Sequence, residues 1–217
     1  MLIPFRDEAR ADSAPLLTIL LIGLNVTIYL FASLSGALQR LILEFGFTPG
    51  TLLIKPEVIV SSLFIHANLL HLVSNMWFLW IYGDNIEDRF GRLPFLGLYL
   101  LSGIVGNFLH TIFTGFSTTV PVIGASGAVA GVMGSFLICF PKAKIKTMLF
   151  LIIYPVFFKI PALLLLGLWM IGEFWMALIA QPGDHVAHWA HVGGFIIGIL
   201  LGLPRRHRFA SSRGWWW

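Results

Sequence analysis

The chain has 217 residues, 58% of them hydrophobic and only 11% charged, with a mean hydropathy of +0.88. A soluble domain carries about 25% charged residues, so this composition excludes one and places the chain in a membrane. The formal net charge is +4.

Residues 1–15 are too few to bury a core. The apolar stretch at 16–35 is too long for a signal-peptide core and lacks a cleavage site, so it is expected to remain as a helix. From Gly36 to Ala67, Pro49, Gly50 and Pro56 stand among apolar residues such as Phe45, Phe47 and Leu52, the pattern of a loop that partly re-enters the interface. Five further apolar stretches follow at 68–88, 93–115, 126–141, 161–180 and 186–203. A crossing needs about 20 mostly apolar residues, so the stretch at 126–141 is short and draws, in this reading, on Lys142 to Tyr154. The closing RRHRFASSRGWWW is a basic, aromatic tail suited to a membrane surface. The expected fold is all-α: a polytopic membrane protein with six transmembrane helices in one domain, 16–203, between tails at 1–15 and 204–217. No repeat suggests a transporter built from two related halves.

With the N-terminus in the cytoplasm, the inner segments hold twelve of the fourteen Lys and Arg residues, and only Arg40 and Lys55 lie outside. That asymmetry sets both termini in the cytoplasm. It also accounts for a pI near 9.5 with no nucleic-acid partner. The single cysteine, Cys139, excludes an intrachain disulfide.

Polar groups inside apolar spans are costly and mark either function or helix–helix contact. In HANLLHLVSN, His71 and Asn75 share one helix face, with His66 at or before the helix start. They form either a polar seam between helices or one wall of a site. In GASGAVAG, at 124–131, Gly124 and Gly127 let the backbone turn sharply beside Ser126 and keep its N–H groups available. Gly127, Ala130, Gly131 and Gly134 form a small-residue face. Close helix packing explains that face, but not a serine at the helix mouth. In AHWAHVGGFIIG, Gly194 and Gly198 form a GxxxG that fits against the same face and would bring His191 to Ser126 at similar depth.

A serine hydroxyl becomes nucleophilic when a base takes its proton, and histidine is the usual base. Ser126 and His191 fit those roles. Asp84, Glu87 and Asp88 lie at the cytoplasmic end and Asp184 in an outer loop, so a dyad is expected rather than a triad. Glu173 falls in the fifth span, not far from the expected depth of His191. It reads chiefly as a protonated acid bonded to a neighbouring helix or a group touching a water-filled cavity. Its other reading is a group that orients His191 or receives substrate. His185, His188 and His191 at successive threes, with His66 and His71, suggest a metal site. The HExxH of a metalloprotease is absent, so neither metal nor cofactor is expected.

Four motifs in order, HxxxxHxxxN at 66–75, Asn85 to Gly91 with Glu87 inside it, GASG at 124–127 and AHVGGFIIG at 190–198, resemble those of the rhomboid intramembrane serine proteases, over residues 58–203. Six spans without a soluble domain are similar to the prokaryotic members. The resemblance implies a rhomboid-like bundle with a partly membrane-embedded first loop, and peptide hydrolysis through an acyl-enzyme. Ser126 would be the nucleophile and His191 the general base. Asn75, His71 and the Ser126 backbone N–H would stabilise the oxyanion. His66 would brace the first loop, and Glu87 would be structural. Gly124, Gly127, Gly194 and Gly198 would shape the surroundings of the site. Substrates would be membrane-spanning proteins, cut at the extracytoplasmic side of the plasma membrane where their helix unwinds. A non-cleaving, helix-binding relative would be expected to lack Ser126 or His191. Two positions depart from the family pattern: Glu57 and Val58 replace a Trp-Arg pair in the first loop, and Ala130 replaces a tyrosine beneath the histidine ring.

Overall fold

The computed structural model describes residues 2–9, 11–116, 119–151, 154–180 and 186–206. They are mostly helical, in the order β1 (Leu2–Asp7), α1 (Leu16–Leu34), α2 (Leu38–Phe45), α3 (Val58–Ser61), α4 (Leu69–Phe90), α5 (Arg92–Thr114), α6 (Ser126–Cys139), β2 (Lys144–Leu151), β3 (Tyr154–Pro161), α7 (Ala162–Ile179) and α8 (His188–Gly202). Each apolar stretch expected as a span is a helix. Three of them, α1, α5 and α7, are long and apolar enough to cross a membrane, and Val58–Phe64 with Leu69–Phe90 form a further candidate bent by 91°. At 14 residues, α6 is apolar but shorter.

α6 lies at the centre. Every residue from Gly127 to Leu137 is buried, as expected for a helix that is apolar all round. Its small residues set the contact with α8. A Cβ on Gly194 would strike the Gly127 carbonyl, and one on Gly198 would strike that of Gly131. Such backbone proximity lets Ser135 Oγ donate to the Gly198 carbonyl at 2.7 Å. The side chains of α7 turn mostly outward: Leu163, Leu164, Leu168, Ile171 and Trp175 are all exposed, as a lipid-facing helix requires.

At one end of the bundle, Glu87 on α4 accepts from the amides of Leu17 and Thr18 and from Thr18 Oγ1, at 2.9, 2.8 and 2.9 Å. Pro15, before α1, supplies no cap of its own, so the carboxylate of another helix satisfies these first amides and sits at the positive end of the α1 dipole. At the opposite end, the segment between α1 and α4 is tied down without a Trp-Arg pair. Phe47 and Val122 exchange backbone hydrogen bonds of 3.0 and 2.7 Å, and the Gly124 amide donates to the Ser62 carbonyl at 2.9 Å. Asn107 Nδ2 on α5 donates to Ser62 Oγ at 3.1 Å.

The all-α expectation fails at a three-stranded antiparallel sheet, ordered β1-β2-β3. Lys142 to Tyr154 does not extend α6. Instead β2 and β3 pair from Lys144↔Pro161 to Leu151↔Tyr154. The physical reason is local: Ile145, Thr147, Val156, Phe157 and Phe158 favour a pleated surface, and Pro155 disfavours a helix interior. Nor are residues 1–15 only a tail, since β1 adds to β2 and runs beside α4. Trp77 Nε1 donates to the Pro4 carbonyl at 2.6 Å, and Asn85 Nδ2 to Asp7 Oδ1 at 3.2 Å. Burial, and then the neighbouring Asp84 carboxylate, push the Asp7 carboxyl up to about 7. Of the expected tail at 204–217, residues 207–217 lie outside the described residues.

Candidate active site

Three chain segments meet at the end of the bundle away from Glu87. The first is the turn entering α6. Gly124 has φ +109°, a conformation that favours glycine, and a Cβ there would strike His71 Nε2 and lie 3.7 Å from Asn75 Nδ2. This turn delivers Ser126 as the first residue of α6. The first backbone bond of the helix is Val129 N–H to Ala125 C=O, at 2.8 Å. The amides of Ser126, Gly127 and Ala128 therefore precede the helical ladder and point out of its positive end.

The second segment is the start of α4. Asn68 caps it, accepting from the His71 amide at 2.9 Å. One turn on, Asn75 Nδ2 donates to the His71 carbonyl at 3.0 Å. His66, 1% exposed, lies before the helix, as its spacing implied. Its Nε2 accepts from the Ala125 amide at 3.4 Å, and its ring packs edge-on against His71 with centroids 5.0 Å apart. His66 thus contacts the turn that carries Ser126. His71 Nε2 and Asn75 Nδ2 both lie against Gly124, two residues before Ser126.

The third segment is the N-terminal turn of α8 with the facing side of α7. Gly127, next to Ser126, lies so close to Ala190, next to His191, that a Cβ on the glycine would be 3.3 Å from the Ala190 carbonyl. Among the described residues no hydrogen bond joins Ser126 and His191. Glu173 was read from the sequence chiefly as a packing or cavity group. Its Oε2 instead lies 2.6 Å from His191 Nδ1 and 2.8 Å from His188 Nδ1. An ionised carboxylate only accepts, so with Glu173 ionised both imidazoles would donate from Nδ1 and leave His191 Nε2 for another partner. Where the family pattern has a tyrosine, Ala130 is fully buried. The His191 ring rests instead near Trp169, with centroids 6.0 Å apart.

The sequence reading missed Trp169 and the pairing of His188 with Glu173. Both had a signal: Trp169 and Glu173 are four apart on one helix, and His188 and His191 are three apart, so each pair shares a face. Of the residues named as metal candidates, His188 and His191 come together with Glu173, the ligating atoms lying within 4.8 Å of one another. His185 and Asp184 lie outside the described residues.

The sequence of this chain is similar to those of known proteins. The profile of the Rhomboid domain matches residues 56–208. The chain is 30% identical over 178 residues to Rhomboid protein 1, mitochondrial, of Saccharomyces cerevisiae, covering 73% of this chain and 46% of that one. It is 32% identical over 149 residues to Rhomboid-like protease 3 of Toxoplasma gondii, covering 66% and 49%. To Presenilin-associated rhomboid-like protein, mitochondrial, of Homo sapiens it is 26% identical over 182 residues, covering 82% and 45%. The chain thus spans about half the length of these curated relatives. A match over most of the chain, taking in the Ser126 turn and both helices that face it, makes this protein a member of the rhomboid family.

Proposed function

We propose that this chain is an intramembrane serine endopeptidase that cuts membrane-spanning proteins. The observation that supports the reading is the contact of Gly127 with Ala190, the residues next to Ser126 and His191, together with the carboxylate of Glu173 against His191 Nδ1. Ser126 Oγ attacks the scissile carbonyl as His191 Nε2 takes its proton. The charge that develops on the carbonyl oxygen is met by the Ser126 amide, Asn75 Nδ2 and His71 Nε2. His191 then returns the proton to the leaving amine. Water enters by the same route in reverse and hydrolyses the acyl-enzyme on Ser126. Ser126 and His191 form the catalytic dyad. Glu173 is a positioning residue: it fixes the tautomer in which Nε2 has the lone pair and stabilises the imidazolium formed in each step.

In this reading all six long apolar helices cross the bilayer, α6 and α8 as short spans within the bundle. The twelve-to-two division of basic residues supports cytoplasmic termini and a site opening on the extracytoplasmic side of the cell membrane. Substrates present a stretch of transmembrane helix that unwinds easily, because a peptide bond held in an intact helix is closed to attack. The test is cleavage of a single-span model substrate by detergent-purified protein, with labelling of Ser126 by a fluorophosphonate read by mass spectrometry. Cleavage that persists in Ser126→Ala would refute the assignment.

A further inference from the structure

We propose that Glu173, His188 and His191 form a binding site for a divalent transition metal, zinc above all, whose occupation switches the peptidase off. One ligating atom from each of the three residues lies within 4.8 Å of the other two, and Glu173 Oε2 is 2.6 and 2.8 Å from the Nδ1 atoms of His191 and His188. Two imidazoles and a carboxylate, with a fourth position left for water, are a common zinc donor set, with metal–ligand distances of about 2.0–2.2 Å. Tetrahedral coordination at those lengths puts ligand atoms about 3.3 Å apart. The present 2.6 and 2.8 Å contacts would open by about 0.5–0.7 Å to reach that spacing, and the two imidazole nitrogens would adjust to it from within 4.8 Å. The side chains are between 9% and 16% exposed, dry enough to hold a metal firmly and open enough to admit one. A hard cation such as magnesium prefers oxygen ligands and does not suit two imidazoles.

The consequence for catalysis follows from the two nitrogens of one ring. A neutral imidazole has one N–H and one lone pair. With Glu173 on Nδ1–H, the lone pair is at Nε2, where it can take the serine proton. A metal on Nδ1 uses the lone pair there and forces the proton to Nε2, which becomes a donor. No net proton is lost, since each ring only changes tautomer. His191 then ceases to be a base without the cavity being blocked. The metal site stands on the geometry alone, whereas its inhibitory effect rests on the proposed role of His191.

The test uses the full chain in detergent, stripped with a chelator and then titrated with zinc or magnesium. Binding is read by competition with a chromophoric chelator and by thermal melting, and turnover by cleavage of a single-span substrate. The expected result is one zinc per chain bound at this site, full turnover in chelator, at least tenfold inhibition at saturation, and no effect of magnesium. His188→Ala should weaken zinc binding by at least about a hundredfold while keeping its turnover in chelator within threefold of wild type. Zinc that does not bind, or that binds His188→Ala as tightly as wild type, overturns the site. Zinc bound there with turnover unchanged overturns the switch. Zinc bound there by a chain that shows no cleavage even in chelator upholds the site and counts against the peptidase reading.

Discussion

Glu173 gives the sharpest test of how His191 is held. Its Oε2 lies 2.6 Å from His191 Nδ1, a charge-assisted bond in a low-dielectric setting, the kind that contributes about 1.5–3 kcal/mol against about 0.5–1.5 for a neutral one. Glu173→Gln keeps an acceptor oxygen of the same reach and removes the charge, so it should forfeit about 1–1.5 kcal/mol of the stabilisation given to the imidazolium. At about 1.36 kcal/mol per decade, kcat should fall by about 5- to 10-fold. Glu173→Ala removes the bond altogether and should lower kcat by about 10- to 100-fold. KM should be unchanged in both, because in the proposed reading the carboxylate acts on Nδ1 and Ser126 on Nε2. Initial rates on a fluorogenic single-span substrate, measured in chelator with melting temperature as a folding control, decide the matter. Two results would refute the reasoning: full kcat in Glu173→Ala, or a loss confined to KM.

Ser126→Ala and His191→Ala should each abolish cleavage while the melting temperature stays near wild type, since both truncate groups at a partly open site. Asn75→Ala should lower turnover by about 10² to 10³ with little change in substrate binding; unchanged turnover would return Asn75 to a helix-packing role. Gly198→Ala pushes a methyl into the Gly131 carbonyl and should cost about 1–3 kcal/mol by overpacking, lowering the melting temperature by several degrees. Asp7 has a folded-state carboxyl raised to about 7 from its ordinary 3.8, so the folded chain binds the extra proton and stability falls as pH rises between those values. Asp7→Asn should therefore melt about 2–4 °C higher than wild type at pH 8, the effect of about 1 kcal/mol at this size. The gap should close as pH approaches 4; an equal gap at both ends would sink the argument.

The six apolar helices were legible because lipid demands apolar runs, and such runs are visible without knowing what packs on what. The sheet was not. The stretch Met148–Phe158 is a near-continuous apolar run, and periodicity alone cannot tell a strand from a buried helix there; its β-branched and aromatic residues and Pro155 were the available signal. β1 had less, since six residues near the N-terminus become a strand only by pairing with Lys144–Leu151, far along the chain. At the site, the meeting of α6 with α8 could be read from matched glycines, because small residues at helical spacing say where backbones can touch. The partners of Glu173 were only partly legible, since the choice among its readings depends on how α7 rotates about its axis. A helix with so few buried residues gives little patterning to fix that rotation.

A buried carboxylate and a half-buried one at opposite ends of this bundle obey one rule and differ in what they can do. Burying a carboxylate is tolerated when its lone pairs are satisfied. Glu87 meets the rule with two backbone amides and a hydroxyl. None of those donors can change its protonation or accept a metal, so the contact between α1 and α4 is fixed. Glu173 meets the same rule with two imidazoles. Each of those donors can shift its proton to the other ring nitrogen, take up a proton, or turn its lone pair to a cation. The chemistry of the partners thus separates a strut from a responsive site. In the proposed reading, only the responsive carboxylate stands where a proton must move.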